Sequence, residues 1–286
     1  MVTQHQHPAT PAHVQDRYPD LYHLLVTWRD DLIALLGENL VAVYVMGSLF
    51  MGDFAEASSD VDFLVVTLHT PTQEGVEQLA RLHTRLGDIS PWGARLEGAY
   101  AAESALHPWG IAGTVVAIEP GGPLCEGPSQ YSADNMLALR DHSMTLYGPP
   151  ASRVVPPVDR ATLEEDLRTY LDDLVKRASM PAPGLGEAAS WLLNIARCLV
   201  GLQTGRTCTK TEAAQWLAAR DPVLQPALAA ALAVRQGERG PALGEVVRAG
   251  LQACPHRIPA AHSARNASTM PNRVDADPPA LEPRPG

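Results

Sequence analysis

Two apolar, β-branched runs separated by a short polar segment constrain the fold of this chain more than any other feature. The runs cover residues 41–46 and 61–66, and each is predicted to form a buried strand. Side chains alternate between the two faces of a strand, so Asp60 and Asp62 project from the same face. The sequence therefore predicts two neighbouring strands with a pair of carboxylates where the second begins.

This pair of carboxylates suits a divalent metal ion. Asp60 and Asp62 repel each other unless a cation or a proton lies between them. Hard oxygen ligands with open positions suit Mg²⁺ that is also bound by substrate phosphates. Gly47 allows the backbone to come close to a phosphate, and Ser48 offers a hydroxyl and an N–H at a predicted helix start. The alternative is an Asp-x-Asp on a solvent-exposed turn, which the strand context argues against.

The combination of strand, Gly47-Ser48, a short insert, and Asp60-x-Asp62 opening a second strand resembles the signature of the nucleotidyltransferase superfamily. The core of that superfamily is similar to the palm of DNA polymerase β. The resemblance implies an N-terminal α/β (α+β) domain with a mixed sheet.

A third carboxylate follows on the next predicted strand, residues 94–101, where Leu96 and Glu97 lie on opposite faces. The superfamily carries a third acidic residue on the strand after its Asp-x-Asp, so Glu97 is the candidate. The alternative is a surface-facing glutamate on an edge strand.

The rest of the first half alternates helices and strands. Residues 21–36 and 72–87 have apolar side chains at helical spacing. Residues 115–118 are predicted to add a strand, and Ser132 is predicted to cap a helix that runs through Met144.

The pattern changes after a proline-rich passage, and four segments are expected. Residues 1–19 form a disordered arm, residues 20–150 a nucleotidyltransferase domain, residues 151–255 an all-α helical-bundle domain, and residues 256–286 a disordered tail.

Two cationic side chains stand out in the helical half. The predicted helix 187–204 has almost no polar face, so Arg197 within it needs an anionic partner, either a phosphate or a carboxylate. Lys210 lies at the start of the next predicted helix, where a positive charge opposes the helix dipole unless an anion is nearby. That position favours a phosphate contact over an ordinary surface lysine.

Charge and cysteine usage limit the class of protein. The formal net charge of −10 disfavours nonspecific nucleic-acid binding and is compatible with a cationic small substrate or with an ordinary acidic cytosolic protein. The four cysteines are scattered, and no secretory segment or long uncharged apolar run is present. We therefore expect a cytoplasmic monomer without a membrane or nucleic-acid partner.

The second half of the sequence narrows the resemblance from the nucleotidyltransferase superfamily to one family within it. Residues 196–205 and 209–216 are similar to the C-terminal helical domain of the bacterial aminoglycoside adenylyltransferases that modify streptomycin and spectinomycin. The resemblance covers residues 21 to 250. In the first half it rests on Leu96-Glu97, Pro108-Trp109, Arg140-Asp141-His142-Ser143 and Leu146-Tyr147-Gly148-Pro149.

The resemblance implies a role for each candidate residue. Asp60 and Asp62 would bind Mg²⁺, with two ions expected, and Glu97 would be the general base. ATP would be the co-substrate. The residues that would contact the nucleotide are Gly47, Ser48, Ser59, Arg197 and Lys210.

The chain departs from the family at residues 184–187, where the family has a tryptophan and acidic residues before the central helix. Only Glu187 keeps a charge there. Glu187 and Glu97 are the residues expected to contact the acceptor, and the loss of an aromatic wall weakens recognition of a polycation.

These observations predict an enzyme that transfers AMP from ATP to a hydroxyl of a cationic, aminoglycoside-type acceptor. One alternative is the same fold acting on a different small molecule or on a protein hydroxyl. The other is a non-catalytic nucleotide-binding or antitoxin-like module.

Overall fold

The computed structural model describes residues 11–178, 180 and 184–257. Its strands are β1 (Leu40–Val45), β2 (Val61–Thr67), β3 (Leu96–Ala102), β4 (Leu106–His107), β5 (Gly110–Ile111), β6 (Thr114–Ile118), β7 (Cys125–Pro128) and β8 (Met144–Tyr147). Its α-helices are α1 (Pro11–Arg17), α2 (Pro19–Leu36), α3 (Gln73–Ile89), α4 (Ala133–Asp141), α5 (Ala151–Val154), α6 (Arg160–Ala178), α7 (Leu185–Thr204), α8 (Lys210–Arg220), α9 (Gln225–Arg235) and α10 (Pro241–Arg257).

Six of these strands form one mixed sheet in the order β7-β6-β3-β2-β1-β8, while β4 and β5 form a separate hairpin. The pairing of β2 with β3 is parallel, and the other pairings in the sheet are antiparallel. The α3 helix supplies the crossover that a parallel pair requires. This crossover places the start of β3 beside the start of β2, where the acidic residues lie.

The sheet is covered on both faces, which explains the continuous apolar character of its central strands. Val43, Val45 and Phe63 belong to the core beneath α2 and α3. Tyr44 and Leu64 point the other way, into the core that α4 covers. Successive residues of each central strand therefore serve different cores, as the two-residue period requires.

The helical region, which we define as residues 160–257, is built around α7. This helix packs against α6, α8, α9 and α10, and half of its residues are buried. It ends at Gly205, which adopts the left-handed conformation at φ 69°. By length and hydropathy alone α7 could cross a membrane, but the core helix of a water-soluble protein meets the same criterion.

Two expectations about local structure need correction. The disordered arm was expected to reach residue 19, but α1 forms within it and Val14 is buried against the first core. The helix expected from Ser132 through Met144 ends at Asp141, and Met144 begins β8, which pairs with β1. Residues 1–10 and 258–286, which carry the rest of the expected arm and almost all of the expected tail, lie outside the described residues.

Candidate active site

A cavity of about 580 Å³ lies between the sheet and the helical region. Both parts of the molecule line it, so residues far apart in the chain meet there. The predicted site residues that line this cavity are Gly47, Ser48, Ser59, Asp60, Asp62, Glu97, Arg197 and Lys210.

One wall of the cavity is acidic and comes from the sheet. In the parallel pairing of β2 with β3, Asp62 is the direct neighbour of Glu97, on the sheet face that α4 covers. Asp60 precedes β2 and is hydrogen-bonded to Glu97. The two strands therefore bring three carboxylates together, and we call Asp60, Asp62 and Glu97 the acidic wall.

The acidic wall is electrostatically unfavourable on its own. Burial, followed by repulsion from Asp60, raises the pKa of Asp62. Burial, followed by the charges of Asp62 and Asp60, raises the pKa of Glu97 to about 7. Carboxyl groups whose pKa values lie near neutrality are suited to exchange protons or to bind a cation.

Gly47 has a structural reason to be glycine. It adopts φ 78° in the 3₁₀ turn Gly47–Leu49, and a Cβ atom there would overlap the Asp62 carboxylate. The neighbouring Met46 N–H donates to the Asp62 carbonyl at 2.9 Å. The turn after β1 is therefore packed directly onto the start of β2.

The acidic wall fits a magnesium ion shared with a substrate. Within the described part of the chain, no group of three or more His, Cys, Asp or Glu side chains is arranged as a complete metal site. Mg²⁺ is commonly held by one or two carboxylates, with substrate phosphates and water as the other ligands. Asp60 and Asp62 supply such carboxylates, and a divalent cation would relieve the repulsion between them.

The opposite wall is cationic and comes from the helical region. Lys210 is the first residue of α8, after the Thr209 cap, and its Nζ lies 3.3 Å from Ser190 Oγ. Burial, followed by repulsion from Arg197 and Arg235, lowers the pKa of Lys210 to about 8. We call Arg197, Lys210 and Arg235 the cationic wall.

Arg197 has the anionic partner that its apolar helix requires, and the partner is a carboxylate. Its Nη2 donates to Asp134 Oδ2 at 2.7 Å, and its Nε donates to the Cys208 carbonyl at 3.0 Å. Burial would lower the pKa of Arg197, but Asp134 and its other neighbours raise it above the ordinary value. Arg197 also lines the cavity, so the ion pair does not remove it from the site.

Arg235 is a cationic residue of the cavity that sequence reasoning missed, as is Arg239. Arg235 is the last residue of α9, and its side chain is only 9% exposed. A basic residue in the last turn of a helix is the ordinary complement to the helix dipole, so its sequence position gives no signal. Only the fold shows that Arg235 faces the loop between β1 and β2.

Ser59 and Glu187, both predicted as site residues, have different surroundings. Ser59 is buried, and its Oγ accepts from the Ala55 N–H at 2.9 Å and from Arg235 Nη2 at 3.1 Å. Glu187 is exposed on the first turn of α7 and is not among the residues that line the cavity. The structure thus does not bring Glu187 to the other predicted residues.

Polar groups from α4 and α7 extend the cavity beyond the two charged walls. Asp134 and Asn135 come from the first turn of α4, and Ser190 and Asn194 come from α7. Asn194 Nδ2 donates to the Tyr170 hydroxyl at 3.1 Å, while its Oδ1 is buried without a hydrogen bond. This part of the cavity offers hydrogen-bonding groups to a polar ligand.

Comparison with known proteins gives matches in sequence and in structure. Residues 153–252 match the family model described as "Aminoglycoside adenylyltransferase, C-terminal domain". Curated relatives named "Spectinomycin 9-adenylyltransferase" from Staphylococcus aureus, including strains Mu50 / ATCC 700699 and N315, are 28% identical over 195 residues. The alignment covers 64% of this chain and 72% of the relatives.

A solved structure has the same fold. The crystal structure of spectinomycin adenyltransferase AAD(9) from Enterococcus faecialis, with ATP and spectinomycin, superposes with a TM-score of 0.65 and 16% identity. The match covers 82% of this chain and 98% of that chain. The predicted fold, an α/β domain with a mixed sheet followed by an all-α bundle, is confirmed.

Proposed function

We propose that the chain is a member of the aminoglycoside adenylyltransferase family and that it transfers AMP from ATP to a hydroxyl of an aminoglycoside-type acceptor such as spectinomycin. The solved relative with the same fold contains ATP and spectinomycin, which supports ATP as the co-substrate here.

The observation that carries this proposal is the pairing of opposite charges across one cavity. Asp60, Asp62 and Glu97 line it from strands β2 and β3 and the residue before β2, and Arg197, Lys210 and Arg235 line it from helices α7, α8 and α9. A triphosphate needs cationic side chains along its length and metal-binding carboxylates beside the phosphorus under attack. The two walls supply both kinds of group within a single site.

Glu97 is the general base in this proposal. Its carboxylate takes the proton of the acceptor hydroxyl, and the hydroxyl oxygen forms a bond to the α-phosphorus of ATP. The bond from that phosphorus to the bridging oxygen breaks, and pyrophosphate leaves with the electron pair. A pKa of about 7 suits this task, because the group is partly ionised near neutral pH and still holds a proton well.

The remaining site residues bind and orient the nucleotide. Asp60 and Asp62 hold Mg²⁺, which supplies charge neutralisation at the phosphates. Lys210 contributes a positive charge that attracts the triphosphate. Arg197 contributes a second positive charge, and Asp134 fixes the orientation of its guanidinium. Ser48 and Ser59 also line the cavity and offer hydroxyl groups to the nucleotide.

The acceptor occupies the part of the cavity between α4 and α7. Asp134 and Asn194 line this part and can accept hydrogen bonds from the ammonium and hydroxyl groups of an aminoglycoside-type molecule. Asn135 also lines it, and because its Oδ1 already accepts from Ser132, it can donate from Nδ2. Because Glu187 is exposed, we assign acceptor recognition to these residues and to Glu97 instead.

Several further features belong to the same proposal. We expect a cytoplasmic monomer that uses Mg²⁺, with a division near residue 150 between a nucleotide-transferring domain and a helical domain. Nucleic acid and membranes are not expected partners.

The proposal is tested by pyrophosphate release from ATP and Mg²⁺ across a panel of acceptors. Spectinomycin and streptomycin should each be tested beside kanamycin-type aminoglycosides and a control without acceptor. We expect release that depends on spectinomycin or streptomycin. Release with none of these drugs, and with a different hydroxyl compound instead, would keep the enzyme class and reject the acceptor. ATP binding without release under any condition would support a non-catalytic module.

A further inference from the structure

The loop between β1 and β2 carries two of the proposed nucleotide-site residues, Ser59 and Asp60, near its end. We call residues 50–60 the site loop. On the sheet side it is held by Arg95, which donates to the Ser59 carbonyl and, at 2.8 Å, to the Glu56 carbonyl. This contact comes from the 3₁₀ turn just before β3.

The helical region holds the same loop from the other side. Arg235 Nη2 donates to the Asp53 carbonyl and, at 3.1 Å, to Ser59 Oγ. The Ser58 hydroxyl donates to the Arg235 carbonyl at 2.6 Å. Thr211 adds its hydroxyl and its N–H to the Asp53 carboxylate, at 2.6 and 3.3 Å. Contacts from α8 and α9 therefore converge on the site loop.

The ion pair at the centre of these contacts, Arg235 with Asp53, is largely buried. The side chains of Arg235 and Asp53 are 9% and 10% exposed, and Arg235 Nη1 lies 3.4 Å from Asp53 Oδ1. Buried ion pairs are sensitive to the loss of one partner, because the other charge is left without compensation. An exposed pair such as Arg177 with Asp173, at 51% and 47%, lacks this sensitivity.

We propose that Arg235 is a positioning residue, which fixes the site loop from the helical region so that Ser59 and Asp60 are held where the nucleotide binds. Asp53 is the residue of the loop that both Arg235 and Thr211 contact. Nucleotide binding and transfer then depend on a contact between the two parts of the molecule. This inference rests on the proposed function for its link to catalysis, and on the contacts alone for its effect on the loop.

A role for Arg235 as a direct phosphate ligand makes a different prediction. Arg235 lines the cavity, and its buried Nη1 makes no hydrogen bond, so charge alone could explain an effect on ATP. Thr211 separates the two explanations. Thr211→Val removes a hydroxyl bond to Asp53 and leaves every charge of the cavity in place.

The first measurement is amide hydrogen exchange in the ligand-free protein, which does not depend on any activity. We expect Arg235→Met to speed exchange of the site-loop amides about tenfold or more, because their anchoring contacts are lost. Thr211→Val should speed the same amides by a smaller factor. Arg177→Met, the matched control from the exposed pair, should leave them at the wild-type rate.

The second measurement is the affinity for a nonhydrolysable ATP analogue with Mg²⁺, together with turnover. Both variants should weaken analogue binding and lower kcat, by up to about 100-fold for Arg235→Met, while the acceptor KM stays constant. Unchanged loop exchange with weaker analogue binding in Arg235→Met alone would overturn positioning in favour of a direct phosphate contact. Faster exchange with wild-type analogue affinity would reduce the contact to a structural one.

Failure of the proposed function would look different. A wild-type protein that transfers no AMP, while both variants loosen the loop and weaken analogue binding, would reject adenylyl transfer and keep the positioning role.

Discussion

The acidic wall and the cationic wall of the cavity are built in different ways. Asp62 and Glu97 come from the adjacent strands β2 and β3, which pair in a fixed register. Asp60 is the residue immediately before β2. Arg197, Lys210 and Arg235 come from three separate helices. The acidic wall is thus set by backbone pairing, while the cationic wall depends on how the helices pack.

The two walls also differ in how their charges are compensated. The acidic groups lie beside one another; burial raises the pKa values of all three, and repulsion from neighbouring carboxylates raises those of Asp62 and Glu97 further. Two cationic groups have carboxylate partners, Asp134 for Arg197 and Asp53 for Arg235. The cationic wall is thus partly neutralised by carboxylates of the protein itself, whereas the raised pKa values of the acidic wall favour a proton or a bound cation there.

The largest expected effect comes from Asp62→Asn. The amide keeps the shape of the side chain but removes a charge that the metal requires, so turnover should fall by about 10³-fold or more. The fold should be retained, with a melting temperature equal to or above that of the wild type, because one repelling charge is gone.

Steady-state kinetics and circular dichroism of the same preparation check both parts. Asp141→Asn, at an exposed position at the end of α4, is the matched control. Near-normal turnover in Asp62→Asn would show that Asp62 does not bind an essential metal ion. It would also reject the difference in charge compensation that we draw between the two walls.

Glu97→Gln should have the next largest effect. Losing the general base should lower kcat by about 10²–10⁴-fold, while binding of ATP and acceptor stays near the wild-type level. Single-turnover kinetics with calorimetry of ATP binding measure the two separately. Glu126→Gln, on β7 and exposed, should behave as wild type. Full activity in Glu97→Gln would show that this carboxylate is not the base.

Lys210→Ala tests the cationic wall. Losing a charged contact to the triphosphate should weaken ATP binding by about 1–3 kcal/mol. Isothermal titration calorimetry measures this directly. The chain has only one other lysine, Lys176, which lies exposed at the end of α6 and serves as the control. Unchanged ATP affinity in Lys210→Ala would mean that this wall does not bind the nucleotide through Lys210.

The smallest expected effect is a pH dependence of ATP binding. Because burial and neighbouring cations lower the pKa of Lys210 to about 8, the side chain loses its proton as pH rises from 7 to 9. ATP affinity should therefore fall several-fold over that range, since the attraction requires the charged form. Lys210→Arg, which stays protonated, should bind ATP with little change between the two pH values. The same slope in both proteins would assign the titration to another group.

The sequence was sufficient to predict the acidic wall because its signal is local. Asp60 and Asp62 are two residues apart at the start of an apolar run, and the resemblance to the superfamily identified Glu97 on the next predicted strand. Parallel pairing then makes Asp62 and Glu97 neighbours. Arg197 could be predicted because a charged side chain is unusual within an apolar helix. Lys210 could be predicted because a positive charge at a helix start opposes the helix dipole.

Other features could not be predicted because their causes lie far away in the chain. Arg235 obeys the ordinary preference for a basic residue at a helix end, and its partner Asp53 is more than a hundred residues earlier. The four residues of β8 are a strand only because β1 pairs with them. The sequence pattern predicted that the preceding helix continues through Met144. In the structure, pairing with the distant strand β1 overrides this local preference.

The central claim is that the two walls together transfer AMP, and mass spectrometry of the acceptor tests it most directly. Spectinomycin and streptomycin are incubated with ATP, Mg²⁺ and either the wild-type protein or Asp62→Asn, and the products are examined for a covalently attached AMP. We predict one AMP on the accepted drug with the wild-type protein and none with Asp62→Asn. An adduct formed equally by both proteins, or by neither with any acceptor, would contradict the account.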